Sequence, residues 1–282
     1  MDRSCSRPNG ALLFPGQGSQ SRAMGELARE HCPELLADAT AELGDDPFER
    51  MDEGTVYLQP AIFLGTLAHW RASGAPIARF AAGHSVGELA ALTAANHLSP
   101  EEGLRMVLAR AQAMQHAADS GEPGGLLATI GSRERALDLA DSHGLELAAD
   151  NAPEQLVLSG ALAKLRAAQS EARSRGLKAV RLRVPAALHS SAMAAAVEPF
   201  RRALETASFE SPRMIVIANV TGRPFTDPVS ELALGVTSCV RWRQTVLTLH
   251  DAGVGAYAEM GSDILSGLLD DVLAQAPPSE PS

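Results

Sequence analysis

The sequence predicts a mixed α/β fold, a larger body with a smaller subdomain inserted in it, and three observations carry that reading. Of the 282 residues 45% are hydrophobic but only 4% aromatic. The core is therefore built from aliphatic side chains on helices and strands, and a chain of this length can bury enough for one such domain with an insert. Twice, near residues 11–20 and 77–95, a short apolar run stops at a tight glycine-containing turn and a helical stretch follows, which is the strand–turn–helix step of an α/β sheet. Between residues 118 and 190 the rhythm changes to strand, helix, strand, strand, helix, strand, the order of the split βαβ or ferredoxin-like unit.

In chain order, an apolar strand at 11–14 ends at Pro15-Gly16-Gln17-Gly18-Ser19-Gln20, and a helix is expected over 24–43. A second helix is expected over 58–73, then a strand at 77–82, the turn Gly83-His84-Ser85-Val86-Gly87, and a helix to 95. Ser99-Pro100-Glu101-Glu102 supplies an N-cap, a first-turn proline and acidic residues for a helix reaching to about 116. The glycine-rich segment 121–125 breaks the pattern. Strands follow at 126–130, 145–149, 155–159 and 179–184, with helices at 133–142 and 161–175 and a turn at Asn151-Ala152-Pro153. The body resumes with a helix from about 191, a strand at 214–218, helices at 229–235 and 241–251, a strand at 255–259 and a last helix at 263–274. Residues 276–282 read as a disordered tail. These assignments place the body at 1–117 and 191–282 and the insert at 118–190.

Lys and Arg number 24 against 34 Asp and Glu, a formal net charge of −10, without the basic surplus or stripe of a nucleic-acid binder. The densest basic stretch, Arg166, Arg173, Arg175, Lys178, Arg181 and Arg183, reads equally as a solvated face or as a docking patch for an acidic partner. Cys5, Cys32 and Cys239 are odd in number and widely spaced, so neither a disulfide framework nor a metal site is expected. No apolar run approaches the ~18–20 residues that span a bilayer, and residues 1–10 lack the apolar core of a signal peptide. The expectation is a cytoplasmic protein without membrane or nucleic-acid partners. No coiled-coil or exposed apolar repeat is visible, so a monomer is expected.

The strongest local signal for chemistry is Gly83-His84-Ser85-Val86-Gly87. A strand running straight into a helix forces its central residue into a strained turn, which leaves the serine oxygen exposed at the helix N-terminus. The amide of Val86 then points to where an oxyanion would form. The competing reading is a chance match in a chain with 24 glycines, and the strand before and helix after favour the nucleophile. A serine needs a base. His189 is the best placed of the eight histidines, at the point where the insert returns to the body; the alternative is a surface histidine or one satisfied in the core. His84 points differently on the turn and suits that role less. On the helix over 100–116, Arg110 falls between Met106 and Met114, away from the polar side of Arg105, Gln112 and His116. An always-charged guanidinium on an apolar face needs an anion or hydrogen-bond acceptors, supplied either by a core carboxylate or by one on the substrate.

With these residues in view, the chain resembles the malonyl-CoA:acyl-carrier-protein transacylases and the related acyltransferase domains of polyketide synthases, from about Leu12 to Leu269. The landmarks are FPGQGSQ from Phe14, QPA from Gln59, GHSVGE from Gly83, RAQAMQ from Arg110, NAPEQLVLSG from Asn151, LHSSAM from Leu188, NVTG from Asn219 and EMGSDILSGL from Glu259. The resemblance implies an α/β-hydrolase-like large subdomain with an inserted ferredoxin-like small one. It further implies that Ser85 carries the acyl ester, that His189 is the base and acid, and that the backbone amides of Gln17 and Val86 form the oxyanion hole. Arg110 would pair with the free carboxylate of a malonyl-type group, with His84 and Leu188 beside it in the substrate-binding set. The implied reaction is ping-pong transfer from malonyl-CoA to the phosphopantetheine thiol of an acyl carrier protein, in polyketide or fatty-acid biosynthesis, with no cofactor beyond the coenzyme A thioester substrate.

The sequence also departs from the family. Gly235 stands where many members have a glutamine or asparagine whose carbonyl orients the histidine, leaving that third group open, with Thr237 and Ser238 nearby. Ala186-Ala187-Leu188 matches neither common acyl-specificity signature, residues 44–57 form a shorter segment, and residues 261–268 lack one residue and the usual proline. These departures point to a specialised stand-alone enzyme of secondary metabolism. The alternatives are a hydrolase that clears acyl groups from carrier proteins, carrier-to-carrier transfer of a non-malonyl group, and a docking subunit without chemistry.

Overall fold

A computed structural model of the chain describes residues 9–277. The first eight residues, with Cys5, and the end of the expected tail at 278–282 lie outside the described residues. In chain order the strands are β1 (Gly10–Phe14), β2 (Phe80–Gly83), β3 (Gly124–Ile130), β4 (Glu146–Ala152), β5 (Gln155–Ala161), β6 (Lys178–Arg181), β7 (Ile215–Ala218), β8 (Arg223–Pro224) and β9 (Ala256–Glu259). The helices are α1 (Arg22–His31), α2 (Pro33–Leu43), α3 (Thr55–Ala72), α4 (Gly87–Ala94), α5 (Pro100–Ser120), α6 (Arg133–His143), α7 (Leu162–Ala172), α8 (Ala194–Leu204), α9 (Pro228–Gly235), α10 (Trp242–Asp251) and α11 (Ile264–Leu273).

The body is organised by a five-stranded sheet in the order β8-β7-β2-β1-β9. Its inner pairings are parallel, and only the short β8 runs antiparallel, against β7. Strand β1 is flanked on both edges and buried at every residue, which is why its sequence is a continuous apolar run rather than an alternation. Helix α3 is buried nearly all round, from Leu58 through Ala68, as befits a helix packed on several sides. The second sheet has the order β4-β5-β3-β6, antiparallel throughout, with α6 and α7 packed on it over Leu127, Leu139, Leu158 and Leu165. That order and the β-α-β-β-α-β succession make the ferredoxin-like unit.

Several sequence expectations need correction. The helix expected over 24–43 is two helices, because Cys32 (φ −140°, ψ 41°) leaves the helical region ahead of Pro33; a proline ring clashes with the preceding turn and disfavours helix in the residue before it. Helix α5 continues to Ser120, past the expected 117/118 division, and β3 starts at Gly124, inside the expected break. Strand β4 runs on through Asn151 and Ala152, so the hairpin turns at Pro153 and Glu154. Helix α7 stops at Ala172 and β6 at Arg181, which leaves His189 on an irregular segment rather than at a strand end. The helix expected from 191 begins with a 3₁₀ turn, Ser191–Met193. The two-residue β8 had no visible sequence signal.

The sheets meet along a seam that matters for the site. Val240 donates to Ala148 O and its own carbonyl accepts from Asp150 N, each at 2.9 Å, so residues just before α10 run as a short strand beside β4. Asp150, 8% exposed, accepts from Arg133 of α6 at 2.6 Å and from Arg243 of α10 at 3.3 Å, tying the second sheet's layer to the body. Among the described residues no helix is long and apolar enough to cross a membrane. Asp150→Ala is expected to lower unfolding stability by about 1–3 kcal/mol, measured by urea denaturation; a change below about 0.5 kcal/mol would show that this clamp contributes nothing.

Candidate active site

Strand β2 ends at Gly83 and α4 begins at Gly87, so the chain reverses over three residues, and Ser85 takes φ +54°. The flanking glycines are there for steric reasons. A Cβ on Gly83 would lie 2.0 Å from the Gly87 carbonyl, and one on Gly87 would lie 2.1 Å from Phe14 O on β1. Neither backbone can retreat. Gly16 is equally confined, because a Cβ there would come within 2.3 Å of His84 O, and this close approach brings the first loop, with Gln17, alongside the elbow.

Ser85 Oγ lies 2.8 Å from His189 Nε2. On the other side of the ring, Nδ1 is 2.9 Å from Gly235 O and 3.2 Å from Ser238 O. Carbonyl oxygens only accept, so Nδ1 carries the proton, and the Nε2 lone pair receives the serine O–H. The group orienting the histidine is therefore a pair of backbone carbonyls, one on the last residue of α9 and one three residues beyond it, and no Gln or Asn side chain is needed. His189 itself has φ +55°, held by Ser190 Oγ bonding back to Ala187 O at 2.7 Å and by Glu146 of β4 accepting from Ser191 N. Burial, and next the nearby Arg110 charge, push His189 down to about 3, so the imidazole is neutral across the physiological range.

Arg110 donates to Gln59 Oε1 and, at 3.2 Å, to Ser85 Oγ. Gln59 is in turn fixed by donating to Thr55 Oγ1 at 2.7 Å. The guanidinium is thus bound by neutral groups and aimed at the serine, not neutralised by a core carboxylate. The buried carboxyl that acts on it through space, Glu88, is itself bonded to Asn219 N at 2.7 Å. Burial lowers Arg110 only to about 10, so it stays cationic. Burial raises Glu88 to about 8, against the opposing pull of the Asn219 N–H and of Arg110.

His84 turns away from the serine. It bonds Asn151 Oδ1 at 2.9 Å through Nε2 and packs on Trp242. A cleft of about 470 Å³ opens here, lined by Gln17, His84, Asn151, Leu182 and Ile264; a second cavity, about 380 Å³, is lined by Gln17, Thr55, Leu58, Arg183 and Ala186. Gln17 lies on both. Among the described residues neither the Gln17 nor the Val86 amide donates a hydrogen bond, which suits two donors facing a reacting oxygen. Ser85, His189 and Arg110 thus meet, with Val86 next to the serine and Gln17 on the loop beside His84, whereas Leu188 packs in the main core at 5% exposure. Sequence reasoning missed Gln59 as the arginine's partner, and Glu88 and Asn219 as the groups behind the elbow. The loop that departs from the family near residue 261 is held by Glu259, whose carboxylate accepts from Leu265 N, Ser266 N and two serine hydroxyls at the start of α11.

Residues 45–262 match the family model described as an acyl transferase domain. The chain is 37% identical over 94% of its length to the polyketide biosynthesis protein ThaF of Burkholderia thailandensis, of which it spans only 24%. It is 33% identical to the malonyl CoA-acyl carrier protein transacylase of Synechocystis, with 92% of each chain covered. The crystal structure of malonyl CoA-acyl carrier protein transacylase from Burkholderia pseudomallei superimposes with a TM-score of 0.86 at 31% identity, covering 96% of this chain and 100% of that one.

Glu88 makes a signed prediction. The native state keeps its proton up to about 8 and the unfolded chain releases it near 4.5, so wild-type stability falls as pH rises through that window. His189 has the opposite sign, since its native value lies below the ordinary 6.5, and it cancels when two variants are subtracted. Glu88→Gln keeps the acceptor for Asn219 N, and its stability relative to wild type should climb from pH 5 to pH 8 in urea melts; parallel profiles would contradict it.

Proposed function

The chain belongs to the acyl transferase domain family that includes the malonyl-CoA:acyl-carrier-protein transacylases, and on that footing we propose that it moves a malonyl-type acyl group from coenzyme A to an acyl carrier protein in polyketide or fatty-acid biosynthesis. The observation that carries the reading is the meeting of three groups at one oxygen. Ser85 Oγ gives its proton to a neutral, backbone-oriented imidazole at 2.8 Å and accepts from a buried guanidinium at 3.2 Å. A hydrolase for plain acyl chains gains nothing from that cation.

In the first half-reaction Ser85 Oγ attacks the thioester carbonyl as His189 Nε2 takes its proton. The oxyanion rests against the amides of Val86 and Gln17, and the departing thiolate of coenzyme A takes the proton back from His189. In the second, the carrier's phosphopantetheine thiol gives its proton to Nε2 and attacks the serine ester, and Oγ is reprotonated as the acyl group leaves. The malonyl carboxylate pairs with Arg110, two carbons from the reacting carbonyl. For the carrier, Arg166, Arg181 and Arg183, with Asp52, line a groove of about 460 Å³ that shares Asp52, Arg183, Val184 and Pro185 with the cavity reaching Gln17; three cations against one carboxylate suit an acidic protein face.

Labelled malonyl-CoA should mark wild-type protein at Ser85, pass the label to a holo carrier protein faster than to water, and leave Ser85→Ala unmarked. Label released mainly to water would favour the editing hydrolase. Arg110→Ala should cost about 2–4 kcal/mol in kcat/KM with malonyl thioesters and little with acetyl thioesters; equal losses on both would remove the carboxylate-binding role. Because His189 stays neutral, the rate of Ser85 modification should show no histidine inflection near pH 6.5, and such an inflection would refute the assigned protonation state.

A further inference from the structure

We propose that Asn219 is a positioning residue that extends the sheet's hydrogen bonding onto the nucleophile elbow and so sets the direction of both the Ser85 hydroxyl and the Val86 amide. The inference rests on Ser85 being the nucleophile, the reading given above, and it assigns the elbow's restraint to a side chain 134 residues away in sequence.

Strands β2 and β7 are parallel neighbours, paired from Phe80 with Ile215 through Ala82 with Ile217. The ladder has to end there, because β2 leaves the sheet at Gly83 to enter the elbow. β7 ends one residue after its last pair, at Ala218, and the next residue is Asn219. Its side chain takes over where the backbone pairing stops. Asn219 Nδ2 donates to Gly83 O at 2.6 Å, and Asn219 Oδ1 accepts from Ser85 N at 2.7 Å. Of the other elbow amides, His84 N donates to Phe14 O on β1, Gly87 N to His84 O and Glu88 N to Ser85 O, while Val86 N faces the site without a protein acceptor among the described residues. The carbonyl of Gly83 and the amide of Ser85, one acceptor and one donor, are met by a single carboxamide. A carboxamide presents a donor and an acceptor in one rigid plane at any pH, as the peptide group of a continuing strand would.

The bracket can restrain the elbow because it is itself held. Asn219 N donates to Glu88 Oε1 at 2.7 Å, and Asn219 O accepts from Arg241 N at 3.0 Å; Asn219 is 2% exposed. Ser85 is thereby held on both sides, its N–H by Asn219 Oδ1 and its carbonyl, which belongs to the Ser85–Val86 peptide, by Glu88 N. Losing the bracket would let Ser85 relax from φ +54° toward ordinary backbone values, turning Oγ away from His189 and the Val86 N–H away from the reacting oxygen. The loss falls on the chemical step and leaves the acyl-binding cation untouched.

The test follows Ser85 modification by a fluorophosphonate, which needs an activated serine but no acyl substrate, so it stays valid if the malonyl assignment fails. Asn219→Ala should slow modification ~10–100-fold, and should lower kcat rather than raise KM with thioesters. Asn219→Asp adds a readout that a merely structural role would not move. A protonated carboxyl offers the same donor and acceptor as the carboxamide, while the carboxylate has no donor for Gly83 O. Its rate relative to wild type should therefore recover as pH falls between 9 and 5, beyond the pH dependence that Glu88, His84, His189 and Arg110 give wild type itself. Asn219→Ala within about twofold of wild type would overturn the role, as would Asn219→Asp with a pH-independent deficit. If the alanine variant does not fold, the aspartate ratio decides alone. A wild-type Ser85 inert to the probe would overturn the nucleophile reading and this role with it.

Discussion

A strand that runs directly into a helix must reverse its backbone within a few residues, and here the reversal is concentrated at Ser85, whose φ of +54° is uncommon for a residue with a side chain. The neighbours of the turn are arranged around that constraint. Gly83 and Gly87 leave no Cβ where the turn folds on itself and on β1, and Gly16 lets the first loop close against His84. Asn219 supplies the two hydrogen bonds that neither strand nor helix can give. A strained residue persists only where its surroundings over-determine it, and the surroundings of Ser85 come from three strands and two loops.

The electrostatics follow from burial. His189 and Arg110 are both desolvated, which favours the neutral imidazole and only modestly weakens the guanidinium, because an arginine starts so far above neutrality. The two can therefore share one hydroxyl as base and cation. Burial keeps Glu88 protonated up to about 8, and its carboxyl is bonded to Asn219 N, so among the described residues no ionised carboxylate bonds the guanidinium. An anionic substrate group would enter a site already built around its opposite charge, and its binding would not have to displace a protein carboxylate.

His189 depends on the seam between the sheets as much as on its own neighbours. Gly235 O and Ser238 O hold Nδ1, and the chain from there to Val240 is pinned to β4 by paired backbone bonds and by Asp150. From β4, Glu146 also caps the turn after His189. The second sheet thus helps to fix His189, while the first fixes Ser85, and the larger cleft lies between them.

What the sequence determined by itself is local and periodic. The aliphatic composition, the strand–turn–helix steps, the β-α-β-β-α-β rhythm and the glycines around Ser85 reflect rules that act over a few residues, as does the buried face that carries Arg110. The break at Cys32-Pro33 was equally legible, since proline writes it in one residue, and the expectation of one long helix overlooked it. Tertiary structure alone decided the rest. Backbone carbonyls carry no residue-type signature, so the acceptors of His189 could not be read from Gly235 or Ser238. The Gln59–Arg110 and Asn219–Ser85 bonds span 51 and 134 residues, and no local pattern marks which polar side chain will stand beside which after the sheets assemble. Those long-range choices settle where Arg110 points: toward the serine, and not into the core.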